Sequence, residues 1–352
     1  MRLLLFNLAT NADDPVLGFT TDWLNALAAR CDAVDVLTMR AGRLALADNV
    51  RVFSVGKELG HSEARRALTF YGRLAALLRQ HRYDAAFAHM IEVFALMSAP
   101  LLKPARVPIT LWYAHKSVRR TLRWAERAVD HIVTASPESF RLPSAKVRVI
   151  GHGVDTRRFT PADSLPERPF TLVTAGRIAP VKRLETVIAA AAQLRSEGLA
   201  LRLRVVGEAA PADADYAAHL HDSARAALGD ALDWAGASTY ASMPQVYRAA
   251  DVMVNTSATG SVDKAVLEAM ACGLPTVTAN EAFHTMLAAW SERLLTPPDD
   301  AAALAARLRG LAEMSAGGRR ALGDDLRALV VAEHSLDRLA DRLIQLFAEG
   351  AR

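Results

Sequence analysis

Cysteine is nearly absent: Cys31 and Cys272 are the only two in 352 residues. Two thiols cannot build a disulfide framework for a chain of this length, and no Cys/His cluster has zinc spacing. A reducing, cytoplasmic setting is expected. Long hydrophobic runs are missing as well. The apolar start of residues 1–6 is cut short by Asn11, Asp13 and Asp14 without a small-residue cleavage pattern, so it reads as a buried strand and not a signal peptide. The longest apolar stretch, residues 85–102, contains His89, Glu92 and Pro100, which a spanning helix would not hold cheaply. Any membrane contact is therefore expected to be peripheral. The glycine fingerprint G-x-G-x-x-G is also lacking; the first loop offers only Gly18.

What is present is a core-forming composition, 51% hydrophobic and 23% charged, at a length that suggests two domains. The net charge of +4 conceals an asymmetry. Residues 1–160 carry 23 Lys and Arg against 14 Asp and Glu, a balance of +9, whereas residues 161–352 carry 19 against 24, a balance of −5. The basic half points to an anionic partner.

Short aliphatic runs alternate with helical patterns. Strands are expected near 2–7, 34–38, 50–54, 84–88, 108–113, 131–134 and 147–150, with helices near 19–29, 62–80 and 117–129. The polar, proline-rich residues 160–169 have the composition of a linker. The pattern restarts with strands near 170–175, 201–206, 251–255 and 274–277 and helices near 183–196, 214–228, 242–249 and 264–271; from 301 onward it is helical. Two doubly wound parallel domains are expected, 1–160 and 161–352, with strand ends facing a central cleft and the last helices crossing back to the first domain.

Chemistry concentrates in the second half. Strand 170–175 runs into Gly176-Arg177, and Lys182 follows at a helix start. A planar guanidinium and a point charge at a parallel strand's carboxyl edge suit a diphosphate; two solvated helix-entry charges are the plainer reading. Residues 258–264 form a small-residue turn into a helix, whose amides from Ser261 through Val262 and Asp263 to Lys264 form an anion site. Glu268 lies one turn further on an otherwise apolar helix, where a carboxylate needs cationic or hydroxyl partners such as a ribose diol.

Three segments carry a resemblance: Gly176-Arg177 with Lys182; Leu267-Glu268-Ala269-Met270-Ala271-Cys272-Gly273-Leu274-Pro275; and Gly151-His152-Gly153-Val154-Asp155 with Phe159 and Pro161. Together they resemble glycosyltransferase family 4. The resemblance implies the GT-B fold and retaining transfer of a hexose-type sugar from a UDP- or GDP-sugar, with no metal or other cofactor. It further implies that Arg177 and Lys182 hold the donor diphosphate, Glu268 the ribose, and the residue 261–264 amides the β-phosphate and sugar. His115 matches an N-domain histidine near the transferred sugar, Gly18 the N-terminal loop glycine, and Gly207-Glu208 the passage of the nucleoside. One departure is notable: Gly260 stands where the family often has a sugar-binding glutamate, so sugar recognition is assigned to Asp263 or the loop amides. Asn280 to His284 replace an expected double glycine.

Other features leave alternatives open. His89 ends a strand and either touches acceptor or is a buried imidazole. His152 reads as hinge structure. Asp213 and Asp215 have D-x-D spacing but lie in a polar loop, where fixed phosphate cations make a metal redundant. Lys116, Arg119, Arg120, Arg123 and Arg127 recur at helical spacing, as do Arg65, Arg66, Arg73 and Arg79 beside Phe70 and Tyr71. These are either solvated faces or the surface by which the first domain meets anionic lipid at the inner face of the cytoplasmic membrane, or a lipid-linked or glycan acceptor. Nucleic acid is disfavoured, since no recognition motif or stacking platform is evident. A sugar-nucleotide epimerase of related fold and a non-catalytic binding protein are the rival functions.

Overall fold

The computed structural model describes residues 1–14, 16–163 and 168–350. Its first sheet contains β1 (Arg2–Asn7), β2 (Ala33–Thr38), β3 (Val50–Ser54), β4 (Ala85–His89), β5 (Ile109–Trp112), β6 (His131–Thr134) and β7 (Val147–Val149). All pairs are parallel, in the order β3-β2-β1-β4-β5-β6-β7. A central parallel strand is covered on both faces, which is why Leu3, Leu4, Leu5 and Phe6 form an unbroken buried run instead of alternating with polar residues. The strands alternate with α1 (Phe19–Ala28), α2 (Glu63–Gln80), α3 (Glu92–Leu102) and α4 (Arg120–Ala128).

The second sheet comprises β8 (Phe170–Ala175), β9 (Leu201–Val206), β10 (Leu232–Gly236), β11 (Val252–Asn255) and β12 (Thr276–Thr278), again all parallel, in the order β10-β9-β8-β11-β12. Its helices are α5 (Leu184–Ser196), α6 (Ala214–Leu228), α7 (Met243–Arg248), α8 (Lys264–Ala271), α9 (Ser291–Leu294), α10 (Ala301–Glu313) and α11 (Ala316–His334). The final helix is α12 (Leu336–Gly350).

The chain divides into one unit of residues 1–153 and 336–352 and another of residues 154–335. The boundary thus falls at 153/154 and not at 160/161. Residues 154–160 are bound into the second unit: Val154 donates to the His334 carbonyl at 2.8 Å, the Arg327 guanidinium donates to Phe159 O at 2.7 Å, and Phe159 is fully buried. Of the three C-terminal helices only α12 belongs to the first unit. Arg30 donates to Asp341 at 2.7 Å, Arg342 to the Ile150 carbonyl at 2.9 Å, and the Phe347 ring lies 5.6 Å from that of Phe87. Residues 164–167 of the proline-rich segment lie outside the described residues.

Three elements were not expected from the sequence: α3, β10 and the four-residue α9. In α3, Phe94, Ala95, Ser98, Ala99 and Leu102 are buried, so the helix presents little polar face from which a 3.6-residue period could be read. In β10 only Leu232 is buried, and its register shifts beside Trp234; it is an edge strand with a weak apolar signal. Helix α4 begins at Arg120 and not near 117: Arg119 is its extended N-cap, so Lys116 and Arg119 stand on the preceding loop. Phe70 is buried and does not join the basic face of α2.

In each sheet the strand order reverses direction once, between β1 and β4 and between β8 and β11. Loops leaving the carboxyl ends of such a strand pair diverge and leave a crevice, where open α/β sheets bind ligands.

Candidate functional site

In the second unit, both motifs singled out in the sequence leave that crevice. Gly176, Arg177 and Lys182 follow β8, and residues 256–264 follow β11. The two loops are stitched together: Ala258 N donates to Val181 O at 2.9 Å, and the buried Thr256 hydroxyl lies 2.8 and 2.9 Å from the carbonyls of Lys182 and Arg183. Arg183 adopts left-handed backbone (φ 52°) and pairs with Asp299 at 2.8 Å, so the turn presenting Lys182 is held from both sides.

Glycine lets the adjacent ends of β8 and β9 approach closely. Gly176 has φ 141° and Gly207, at the end of β9, φ 148°. A Cβ on Gly207 would lie 1.8 Å from the Gly176 carbonyl oxygen, so no side chain fits there. Glu208 follows, exposed, and its carbonyl accepts from Ile178 N at 3.0 Å. Arg177 is exposed and has no ion pair among the described residues.

Lys182 is engaged. Its Nζ is 2.7 Å from Asp263 Oδ1 and 3.4 Å from Ser257 Oγ, while Asn255 Nδ2 donates to Asp263 Oδ2 at 3.0 Å. Asp263 is the N-cap residue of α8, but its carboxylate makes no capping bond. Asn255 is oriented by Thr278, whose hydroxyl donates to its Oδ1 at 3.1 Å. Asn280, 1% exposed, donates to the Ser261 carbonyl at 2.9 Å and so ties the loop of Gly260 (φ 59°), Ser261 and the buried Val262 to the end of β12.

One turn into α8, the buried Glu268 has the partners its position demanded. Lys264 forms a short i,i+4 ion pair with it, and Tyr247 OH donates to Oε2 at 3.3 Å. Lys264 Nζ also donates to Tyr240 OH at 2.9 Å and stands 4.3 Å from that ring's centroid. Burial, together with the Glu268 charge, pushes the Tyr247 phenol far above its ordinary range, so it remains a donor at every physiological pH. A carboxylate paired in this way keeps further lone pairs for a diol.

The structure thus brings Arg177, Lys182, Ser261, Val262, Asp263, Lys264 and Glu268 to one edge of the second unit, with Gly207 and Glu208 on the neighbouring strand end. Asn255, Ser257, Asn280, Tyr240 and Tyr247 were not singled out in the sequence. Their roles depend on which loops meet; only the Asn255-Thr256-Ser257 run after a strand offered a signal.

In the first unit, Gly18 is the N-cap residue of α1, with ordinary helical φ. A Cβ there would lie 2.7 Å from the Asp14 carbonyl oxygen, so close approach, not left-handed backbone, demands glycine. His89 takes the buried of the two settings left open: it is 5% exposed among Phe19, Trp23, Phe87 and Trp112, with the Trp23 ring 4.5 Å away. It therefore offers no surface for an acceptor. Burial lowers its pKa to about 3 and keeps the ring neutral. His152 is also buried, against Trp23 and Trp112. His115 is exposed after β5; its Nδ1 accepts from Ser117 N at 3.0 Å, and desolvation plus the charges of Arg119 and Lys116 lower its pKa. Lys116, Arg119, Arg120, Arg123 and Arg127 are exposed, with Trp124 56% exposed among them. Asp213 and Asp215 flank the start of α6, and among the described residues no group of three His, Cys, Asp or Glu could hold a metal ion.

Comparison with known proteins matches this architecture. Residues 19–158 match the family described as "Glycosyltransferase Family 4", and residues 169–314 match "Glycosyl transferases group 1". A D-inositol 3-phosphate glycosyltransferase of Salinispora arenicola is 36% identical over 154 residues, 38% of this chain and 34% of that protein. A putative colanic acid biosynthesis glycosyltransferase, WcaL, of Salmonella typhimurium is 30% identical over 179 residues, 49% of this chain and 43% of that protein. The chain thus spans about a third to under half of the length of these relatives. The crystal structure of Anabaena HepE in complex with UDP superposes with a TM-score of 0.78, covering 99% of this chain and 100% of that one, at 19% identity. The two parallel sheets are those of the GT-B fold, and the chain belongs to the group 1 and family 4 glycosyltransferases.

Proposed function

We propose that the protein transfers a hexose-type sugar, with retention, from a UDP- or GDP-sugar to a hydroxyl of a lipid-linked or cell-envelope glycan. One observation carries the reading: Arg177, Lys182 and the α8 N-terminus converge at the β8/β11 crevice, one helical turn from a buried carboxylate. The UDP bound to HepE and the polysaccharide role in the name of WcaL support the donor and acceptor classes.

In the reaction, the bond between the anomeric carbon and the β-phosphate oxygen breaks and its electron pair stays on the departing diphosphate. The guanidinium of Arg177, the ammonium of Lys182 and the helix dipole stabilise that growing charge. The acceptor oxygen bonds to the same face of the anomeric carbon, and its proton passes to the departing phosphate oxygen. Glu268 receives the ribose diol; Asp263 and the residue 261–264 amides meet the sugar. His115 is assigned, on the family resemblance, to contact the transferred sugar. The residues of this chain supply the positive charge, so activity is expected to persist in a chelator; abolition by chelator and rescue by a divalent cation would overturn that assignment.

A thermal-shift screen of UDP- and GDP-sugars tests the donor class, because a bound donor stabilises by mass action. Arg177→Ala and Lys182→Ala are each expected to weaken the stabilising nucleotide at least tenfold. NMR of the product's anomeric centre reads retention directly. Labelled donor returning as an epimer without any acceptor would select the epimerase instead, and binding without turnover the non-catalytic protein.

A further inference from the structure

The cations of the crevice are not all available to an incoming anion. Lys182 is paired with Asp263 at 2.7 Å, both side chains being 17% exposed, and Lys264 is paired with Glu268. Two lysines and two carboxylates cancel, which leaves Arg177 as the unpaired cation of this edge among the described residues. Asp263 also stands in an unusual posture. An aspartate at an N-cap ordinarily turns its carboxylate onto the first free amides of its own helix. Here it points across the crevice instead, with one oxygen on Lys182 and the other on Asn255 Nδ2 at 3.0 Å. The Lys182 ammonium and the Asn255 amide are two converging donors, and the group that fills them is a side-chain anion.

We infer that the Asp263 carboxylate is an internal stand-in for the donor's phosphate: it occupies Lys182 until a diphosphate displaces it, and donor binding is an anion exchange on Lys182. This rests on the diphosphate reading of the crevice. An intramolecular carboxylate is present at high effective concentration, so it weakens the observed affinity of any phosphate by the fraction of time Lys182 is free. It also keeps Lys182 neutralised and partly desolvated between turnovers. Ligands too weakly charged to compete, a carboxylate metabolite for instance, are rejected by the same contact. Once displaced, Asp263 becomes an available acceptor beside the group that the diphosphate carries. Sugar recognition by this residue is thereby conditional on the diphosphate already being seated.

The test is calorimetric titration of UDP and of GDP into the wild type, Asp263→Asn, Lys182→Ala and the double variant. Asparagine keeps the size of the side chain and removes its charge. The expected result is that Asp263→Asn binds at least one of the two nucleotides about tenfold tighter, equivalent to about 1.4 kcal/mol, and that the gain disappears when Lys182 is alanine. Unchanged or weaker binding by Asp263→Asn would overturn the inference, because the carboxylate would then be orienting Lys182 without blocking it. A gain of the same size in the Lys182→Ala background would also overturn it, since the effect would be general electrostatics and not the contact. If wild type and Asp263→Asn both fail to bind either nucleotide, the diphosphate reading itself falls, and this inference with it. Melting temperatures of the four proteins establish that each is folded.

Discussion

Gly207 illustrates how much one residue decides at this site. Its missing side chain lets the β9 end lie against the Gly176 carbonyl, so Gly207→Ala forces apart the ends of β9 and β8, the second of which borders the crevice. A loss of about 2 kcal/mol or more in chemical denaturation, with loss of nucleotide binding, is expected. Lys264 is the second case. Removing it strands the buried Glu268 carboxylate without its cation, and Lys264→Ala is expected to cost about 3 kcal/mol; a Lys264→Ala/Glu268→Gln double variant should recover part of that loss. In the first unit, the fully buried Asp35 accepts from Arg51 at 2.7 and 2.9 Å and from Tyr83 OH at 2.7 Å. Burial alone would raise its pKa, but those bonds together with the charges of Arg51 and Arg2 outweigh it and hold the carboxyl below its usual range. With a depressed folded pKa, its stabilising contribution is present above the unfolded value of about 3.9 and is lost as pH falls through the folded one. Acid titration of Asp35→Asn should therefore lack that part of the slope. Arg177, Lys182 and Glu268 were legible in the sequence because strand and helix termini fixed their positions. The Lys182–Asp263 contact was not, because 81 residues separate its partners and only the meeting of two loops creates it.

At the level of elements, periodicity located most strands and helices but failed where its physical basis is absent. A helix apolar on nearly every face, such as α3, has no polar stripe, and an edge strand such as β10 has no apolar run. The same limit applies to α4. Its sequence suggested one continuous basic helix from residue 117, whereas extended backbone at Arg119 places Lys116 and Arg119 on a loop and leaves Arg120, Arg123 and Arg127 on the helix around exposed Trp124. An amphipathic element of this composition is expected to bind anionic lipid, with the indole at the headgroup boundary. Vesicles containing phosphatidylglycerol should retain the protein at low ionic strength and release it as salt rises. Neutralising Arg119, Arg120 and Arg123 together should abolish retention; unchanged retention would assign the stripe to solvent. No helix of the described residues is long and apolar enough to cross a membrane.

For the whole molecule, the uneven charge acquires an address. The proposed anion site lies in the half carrying −5, where a few placed groups and not the net field would hold the ligand. The basic half carries His115 and α4. Because Arg177, Lys182 and Glu268 all lie within residues 154–335, nucleotide is expected to slow amide hydrogen exchange chiefly there, and at 100 times its Kd to stabilise that unit by about 2.7 kcal/mol. The division at 153/154 and 335/336 also makes the second unit an insertion within the first. Helix α12, whose Phe347 and Leu339 pack beside Phe87 and Gly153, is translated only after all of residues 154–335. On the ribosome the first unit thus waits with an uncovered apolar face while its guest is made and folds. That interval is when the nascent chain is most exposed to aggregation, and when a chaperone would have most to cover.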